Sequence, residues 1–103
     1  MFDKQTEVKI NVAVTLEFVN AVQTYGAKYN SLHEAYAVLK DEVEEADDDF
    51  DFIKDYLNSL WNEVKGNDKK AVKESAYMIA YKAIELAKEA VQIAAVAKKI
   101  IGE

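Results

Sequence analysis

The sequence contains no cysteine, no proline and no arginine, and only three of its 103 residues are glycine. Without cysteine the chain cannot form a disulfide, use a thiol in catalysis or bind zinc through sulfur. The absence of proline and the scarcity of glycine favour helices joined by few, short connections. No apolar run approaches the roughly 20 residues that a membrane-spanning helix needs. We therefore expect a single helical domain over residues 1–103 that does not enter a membrane.

The charge balance is acidic, with 19 aspartate and glutamate residues against 13 basic residues, all of them lysine, and a formal net charge of −6. No basic patch is visible, so we do not expect direct binding to nucleic acid. Because arginine is absent, a phosphate group must be bound by lysine, backbone N–H groups or a metal ion. The lack of cysteine fits a reducing compartment, and the first four residues lack the basic and apolar regions of a secretory signal. We expect a cytoplasmic protein.

The first predicted element covers about residues 6–25, and its apolar pattern fits two structures. Apolar and polar residues alternate over residues 8–18, as in a β-strand. However, Val12 and Leu16 also lie on one face of a helix, and Gly26 suits a helix C-cap. No other segment resembles a strand, and an unpaired strand would leave its backbone groups without hydrogen bonds unless a second subunit supplied the partner. We therefore predict a helix here.

The second predicted element covers residues 31–65. Ser31 and Glu34 have the spacing of a capping box, a reciprocal pair of hydrogen bonds that begins many helices. Apolar residues then follow at steps of four and three without interruption: Leu32, Tyr36, Leu39, Val43, Ala46, Phe50, Ile53, Leu57, Leu60 and Val64. This heptad pattern indicates either one helix or two helices in register, since a single helix would be roughly 50 Å long. A break or bend near residues 47–51 would accommodate this length, as would packing of the far end on another subunit. Of a loose cation site and a solvated acidic turn at these residues, we favour the turn.

The third predicted element, about residues 70–101, follows a turn at residues 66–68 in which Asn67 or Asp68 is the expected helix cap. Apolar residues form two stripes along it, which predicts a helix packed on more than one side. Together the three segments predict an all-α fold, a bundle of three to four helices in which the long helices are antiparallel. We expect oligomerisation, as a homodimer or homotetramer, to complete the bundle.

Two polar pairs with the same spacing lie on the long helices. Glu42 and Glu45 are three residues apart in the second segment, and Glu89 and Gln92 are three apart in the third. On a helix this spacing places both side chains of a pair on one face. If the two helices pack together, three carboxylates and one amide can converge on a divalent cation. The alternative is a solvated acidic surface on the second helix, with Glu89 paired to a lysine such as Lys82 or Lys88.

Residues 25–45, which include the run His-Glu-Ala-Tyr-Ala-Val-Leu, resemble the first motif of small, often phage-borne MazG-like proteins. These proteins belong to the all-α nucleoside triphosphate pyrophosphohydrolases. The family's E-x-x-E motif maps to Glu42 and Glu45. Its E-x-x-D motif maps to Glu89 and Gln92, where an amide stands in place of the expected acid. Residues 93–97 also resemble the family's tail, so the resemblance spans most of the chain from Tyr25 onward.

The resemblance implies cleavage of a nucleoside triphosphate between its α and β phosphates, which yields a monophosphate and pyrophosphate. The two motifs would hold Mg²⁺ or Mn²⁺, with Glu45 as the catalytic carboxylate, and Lys40 and Lys82 would contact the phosphates. Glutamine brings no negative charge, so Gln92 weakens the expected metal site. The alternative function is a non-catalytic helical module of phage origin that keeps the fold and binds a nucleotide or a protein partner.

Overall fold

The computed structural model describes residues 1–102, and these residues form three helices and no strand: α1 (Lys4–Tyr25), α2 (Leu32–Lys65) and α3 (Lys69–Ile101). The prediction of an all-α fold is confirmed, and so is the choice of a helix over a strand for the first segment. α2 is one uninterrupted helix, which excludes two shorter helices in register. No helix within the described chain combines the length and the apolar character that crossing a membrane requires.

α1 begins and ends at residues that satisfy its terminal backbone groups. The Asp3 carboxylate accepts a hydrogen bond from the backbone N–H of Thr6 at 2.8 Å, which makes it the N-cap. This hydrogen bond lowers the pKa of Asp3, because it favours the charged form of the carboxyl group. At the other end, the N–H of Gly26 donates to the carbonyl oxygen of Val22 at 2.9 Å, with a φ of 91° that glycine adopts without strain. The predicted C-cap at Gly26 is confirmed.

Only half of the predicted capping box forms at the start of α2. The hydroxyl oxygen of Ser31 accepts a hydrogen bond from the backbone N–H of Glu34 at 3.1 Å, as expected. The Glu34 carboxylate, however, accepts from the backbone N–H and the side-chain amide of Asn30, at 3.4 and 3.0 Å. Because Asn30 offers two donors to one carboxylate, it replaces the backbone N–H of Ser31 as the partner.

The acidic run at residues 47–49 is helical, so the prediction of a turn there is wrong. Asp47 and Asp48 are exposed, whereas Asp49 is half-buried and its carboxylate lies 3.2 Å from Nζ of Lys82. Aspartate has a low intrinsic helix propensity, but the apolar heptad continues through this run and the Lys82 ammonium compensates one of the charges. Tertiary contacts therefore keep α2 intact where local preference favours a break.

The chain forms two compact units. Unit 1 comprises Met1–Val43 together with the chain from Glu89 onward, and it contains α1, the first part of α2 and the last part of α3. Unit 2 comprises Glu44–Lys88, and it contains the remainder of α2 and α3 with the turn that joins them.

The turn in unit 2 is held by its own side chains and backbone. Asn67 adopts a φ of 53°, a left-handed conformation that asparagine tolerates better than most residues. Asp68 then caps α3, since its carboxylate accepts a hydrogen bond from the backbone N–H of Ala71 at 3.1 Å. Of the two caps predicted for α3, Asp68 is the correct one.

α2 and α3 run antiparallel in unit 2. The hydroxyl of Ser75 lies 2.7 and 2.8 Å from the two carboxylate oxygens of Glu63, and Lys82, two turns further along α3, contacts Asp49. As α3 advances, its partners come from earlier positions on α2, which is the order that antiparallel helices produce.

Few apolar side chains of the described chain are buried: Val14, Ala35 and Ala95. Apart from Leu32 at the start of the helix, which is exposed, the heptad residues of α2 divide into two sets. One set is half-buried and comprises Leu39, Ala46, Ile53 and Leu60. The other set, which we call the exposed heptad stripe, comprises Tyr36, Val43, Phe50, Leu57 and Val64, and each of these side chains is between 47% and 66% exposed.

Candidate metal centre

Glu42, Glu89 and Gln92 meet in unit 1 and are all half-buried. The side-chain amide of Gln92 lies between the two carboxylates. In the orientation that satisfies its neighbours, its nitrogen donates to an oxygen of Glu42 at 3.0 Å and to an oxygen of Glu89 at 3.1 Å. Gln92 therefore links Glu42 on α2 to Glu89 on α3.

Glu45 lies one turn after Glu42 on the same uninterrupted helix and is exposed. One carboxylate oxygen of Glu42 lies within 4.8 Å of a carboxylate oxygen of Glu89, and both residues belong to unit 1. Oxygen atoms that bind one hard divalent ion are separated by roughly 3 to 5 Å, since each metal–oxygen distance is about 2.0 to 2.6 Å. Glu42 and Glu89 therefore fit a shared cation, and their oxygen donors suit Mg²⁺, Mn²⁺ or Ca²⁺ rather than a metal that prefers sulfur.

The amide of Gln92 can serve this cluster in either of two orientations. Its nitrogen and oxygen have nearly the same shape, so rotation about the last side-chain bond exchanges them. With the nitrogen towards Glu42 and Glu89, two N–H groups hold the carboxylates together. With the oxygen towards them, the cluster gains a fourth oxygen ligand. An ionised aspartate at position 92 would offer only oxygen ligands to a cation and could not donate hydrogen bonds to the carboxylates.

The lysines considered as partners of Glu89 are paired elsewhere. Lys82 contacts Asp49, and its Nζ lies 4.8 Å from the centroid of the Phe52 ring. Nζ of Lys88 lies 3.2 Å from an oxygen of Glu85, one turn earlier on α3. The ion pairs of both lysines are therefore with residues of unit 2 rather than with Glu89.

The two lysines predicted to contact phosphate, Lys40 and Lys82, lie in different units and have different surroundings. Lys82 belongs to unit 2 and is held by Asp49, whereas Lys40 belongs to unit 1 and is exposed on α2. Neither lysine lines the cavity of unit 1 beside Glu42 and Gln92. Their proposed role stays a prediction.

A cavity of about 350 Å³ in unit 1 adjoins Glu42 and Gln92. Its lining includes Tyr25 and Tyr29, which precede α2, and Lys99 from the last part of α3. Lys99 is only 5% exposed, although it carries a charge. Its Nζ lies 4.1 Å from the centroid of the Tyr29 ring, a cation–π contact.

The sequence assigned Lys99 only to the end of a helix, where a lysine complements the helix dipole. One signal for a different role was present. Lys99 follows Gln92 by seven residues, which is two helical turns and therefore the same face of α3. That spacing places it on the side of the helix that carries the second motif.

No family model matches this sequence, and neither a curated protein nor a solved structure matches it. The MazG-like resemblance therefore rests on residues 25–45 and on the two motifs themselves.

Proposed function

We propose that this chain is a magnesium-dependent nucleoside triphosphate pyrophosphohydrolase of the MazG-like type. The proposal is supported above all by the position of Glu42 and Glu89 in unit 1, whose carboxylate oxygens lie within reach of a single divalent cation. The motifs come from distant parts of the sequence, so their meeting is not a consequence of local spacing. The resemblance of residues 25–45 supplies the reaction class.

The side chains of the cluster suit different tasks. Bound magnesium would polarise the phosphate oxygens and lower the pKa of a coordinated water molecule. Glu42 and Glu89 are half-buried and joined through Gln92, so they provide ligands of fixed position. Glu45 is the exposed member and faces solvent, which suits the carboxylate that accepts a proton from the attacking water. Attack on the α phosphorus then releases pyrophosphate.

The direct test is pyrophosphate release from a panel of ribonucleoside and deoxyribonucleoside triphosphates, with Mg²⁺ or Mn²⁺ and with EDTA as the control. We expect release that requires the metal, with the nucleoside monophosphate as the second product. Formation of a nucleoside diphosphate and free phosphate would show cleavage between the β and γ phosphates and would contradict the proposed reaction. No release from any member of the panel would contradict the enzymatic proposal.

The second candidate is a non-catalytic helical module that binds a nucleotide or a protein partner. One observation favours it: the Gln92 amide can hold Glu42 and Glu89 together by hydrogen bonds, which is a complete arrangement without a cation. The two candidates differ in their response to metal. The enzyme requires Mg²⁺ for turnover, whereas the module binds its partner equally well in EDTA.

We also propose that the chain self-associates through the exposed heptad stripe of α2. The chain exposes 7786 Å², roughly 1,900 Å² more than the value of about 5,800 Å² expected for a folded monomer of this mass. A standard interface covers about 800 Å² on each partner, and permanent oligomers cover more. Apolar residues repeated every seven positions are typical of helices that pair along their length.

Leu57→Lys should convert the oligomer into a monomer, because it places a charge in the centre of the exposed heptad stripe. Light scattering coupled to size-exclusion chromatography measures the mass, and far-UV circular dichroism checks that the helices remain. Asn58→Lys is the matched control, since Asn58 is exposed on the same turn but lies outside the stripe. A wild-type protein that is monomeric at micromolar concentration would contradict the proposal, as would equal dissociation of both variants.

A further inference from the structure

Lys99 has an unusual environment, because the residue is only 5% exposed and its ammonium lies against a tyrosine ring. Burying a charged amine without a strong partner costs free energy, so lysine is rarely this inaccessible unless it is paired. Among residues 1–102, the ammonium of Lys99 has one partner, the ring of Tyr29. A cation–π contact contributes less than a charge-assisted hydrogen bond to an anion.

Lys99 also borders the cavity of unit 1. No inaccessible side-chain nitrogen or oxygen in residues 1–102 lacks a hydrogen-bond partner, and Lys99 lines the cavity. Its Nζ makes no hydrogen bond within that part of the chain. The tyrosine ring and the packed stem of the side chain hold the ammonium in place, which reduces the entropy lost when an anion binds.

The geometry points to a role for Lys99: we propose that it binds the terminal phosphates of a magnesium-bound polyphosphate in the cavity of unit 1. This inference takes its ligand class from the proposed function. Lys99 lies two turns from Gln92 on the same face of α3, about 10 Å along the helix. The cavity adjoins Gln92 at one end and includes Lys99 in its lining, and at about 350 Å³ it falls in the size range of small-molecule sites. A polyphosphate held by metal at the carboxylate cluster can extend towards the ammonium.

Because carboxylates line the cavity, we expect a polyphosphate to bind there only together with Mg²⁺. Glu17, Glu34 and Glu42 also line the cavity, and a bare polyphosphate would be repelled by them. Magnesium removes two negative charges from the ligand and is attracted by the carboxylates. Lys99 supplies the cation for the phosphate oxygens that the metal does not cover. Lys40 and Lys82, which do not line the cavity, are not required for this contact.

Calorimetric titration with inorganic tripolyphosphate in Mg²⁺ tests this contact without any assumption about the base. Lys99→Met keeps the length and the apolar stem of the side chain and removes its charge. We expect this variant to bind about tenfold or more weakly, since a hydrogen bond to a charged group contributes about 1.5 to 3 kcal/mol. Lys98→Met, which removes the same charge from an exposed neighbour, should bind within about twofold of the wild type.

The outcomes separate the phosphate contact from the proposed enzyme activity. Undiminished binding to Lys99→Met, equal weakening in both variants, or no binding to the wild type would overturn the role of Lys99, even if the wild type releases pyrophosphate from nucleotides. Selective weakening in Lys99→Met supports the role, even if no nucleotide is hydrolysed. Circular dichroism confirms the fold of each variant, and Lys99→Gln replaces Lys99→Met if the latter does not fold.

Discussion

Glu89→Gln should reduce magnesium-dependent pyrophosphate release by roughly a hundredfold to a thousandfold, with little change in the fold. The substitution keeps the shape of the side chain and removes one of the three charges that would hold the cation. Metal ions contribute several kcal/mol to the stabilisation of charge in such reactions, and each 1.4 kcal/mol corresponds to about a tenfold change in rate. The measurement is kcat for the best triphosphate of the panel, together with the Mg²⁺ concentration that gives half-maximal activity.

Glu85→Gln is the matched control for this experiment. Glu85 lies one turn earlier on α3, and its partner is the exposed Lys88 rather than a carboxylate of the cluster. An exposed ion pair of this kind contributes little to stability, so the control should retain nearly full activity and melt close to the wild type. Equal activity of Glu89→Gln and the wild type would remove Glu89 from the metal site and leave the proposed cluster without its α3 ligand.

Gln92→Asp should make the stability of the protein depend on magnesium. In EDTA, the variant loses the two N–H groups that hold Glu42 and Glu89 together and adds a further negative charge beside them. We expect its melting temperature to fall by roughly 5 °C or more, because the lost hydrogen bonds and the added repulsion amount to at least about 1 kcal/mol. In saturating Mg²⁺ the additional carboxylate becomes a ligand, so the melting temperature should recover and the apparent Kd for Mg²⁺ should fall by about tenfold.

The same variant separates a weakened enzyme from a non-catalytic module. Higher turnover in Gln92→Asp than in the wild type at low Mg²⁺ indicates that glutamine limits a working metal site. Gln23→Asp adds one charge to the exposed surface of α1 and should show neither effect. If Gln92→Asp melts at the same temperature with and without magnesium, the cluster does not bind the metal, and the non-catalytic module is favoured.

The helices were predictable because their signals are local. The capping residues Asp68 and Gly26 lie within a few residues of the groups that they satisfy. The apolar spacing in α2 and α3 needs only the period of the helix. The two errors have different origins. The Glu34 carboxylate accepts hydrogen bonds from Asn30 rather than from the backbone N–H of Ser31, which is a competition between local partners. The acidic run remains helical with the support of a tertiary contact between Asp49 and Lys82, which propensity does not include.

The sequence by itself determined that the chain is helical, that Glu42 and Glu45 share one face of α2, and that Glu89 and Gln92 share one face of α3. These properties depend on the helical repeat and on nothing distant in the chain.

Only the tertiary structure decided that Glu42 meets Glu89, that the Gln92 amide lies between these two carboxylates, that Lys82 pairs with Asp49, and that Lys99 is buried beside a cavity. The physical reason is register. The periodicity of a helix gives the direction of each side chain around its own axis, but the axial offset between two packed helices depends on how all their side chains fit together, and a shift of one turn, about 5.4 Å, would exchange every partner.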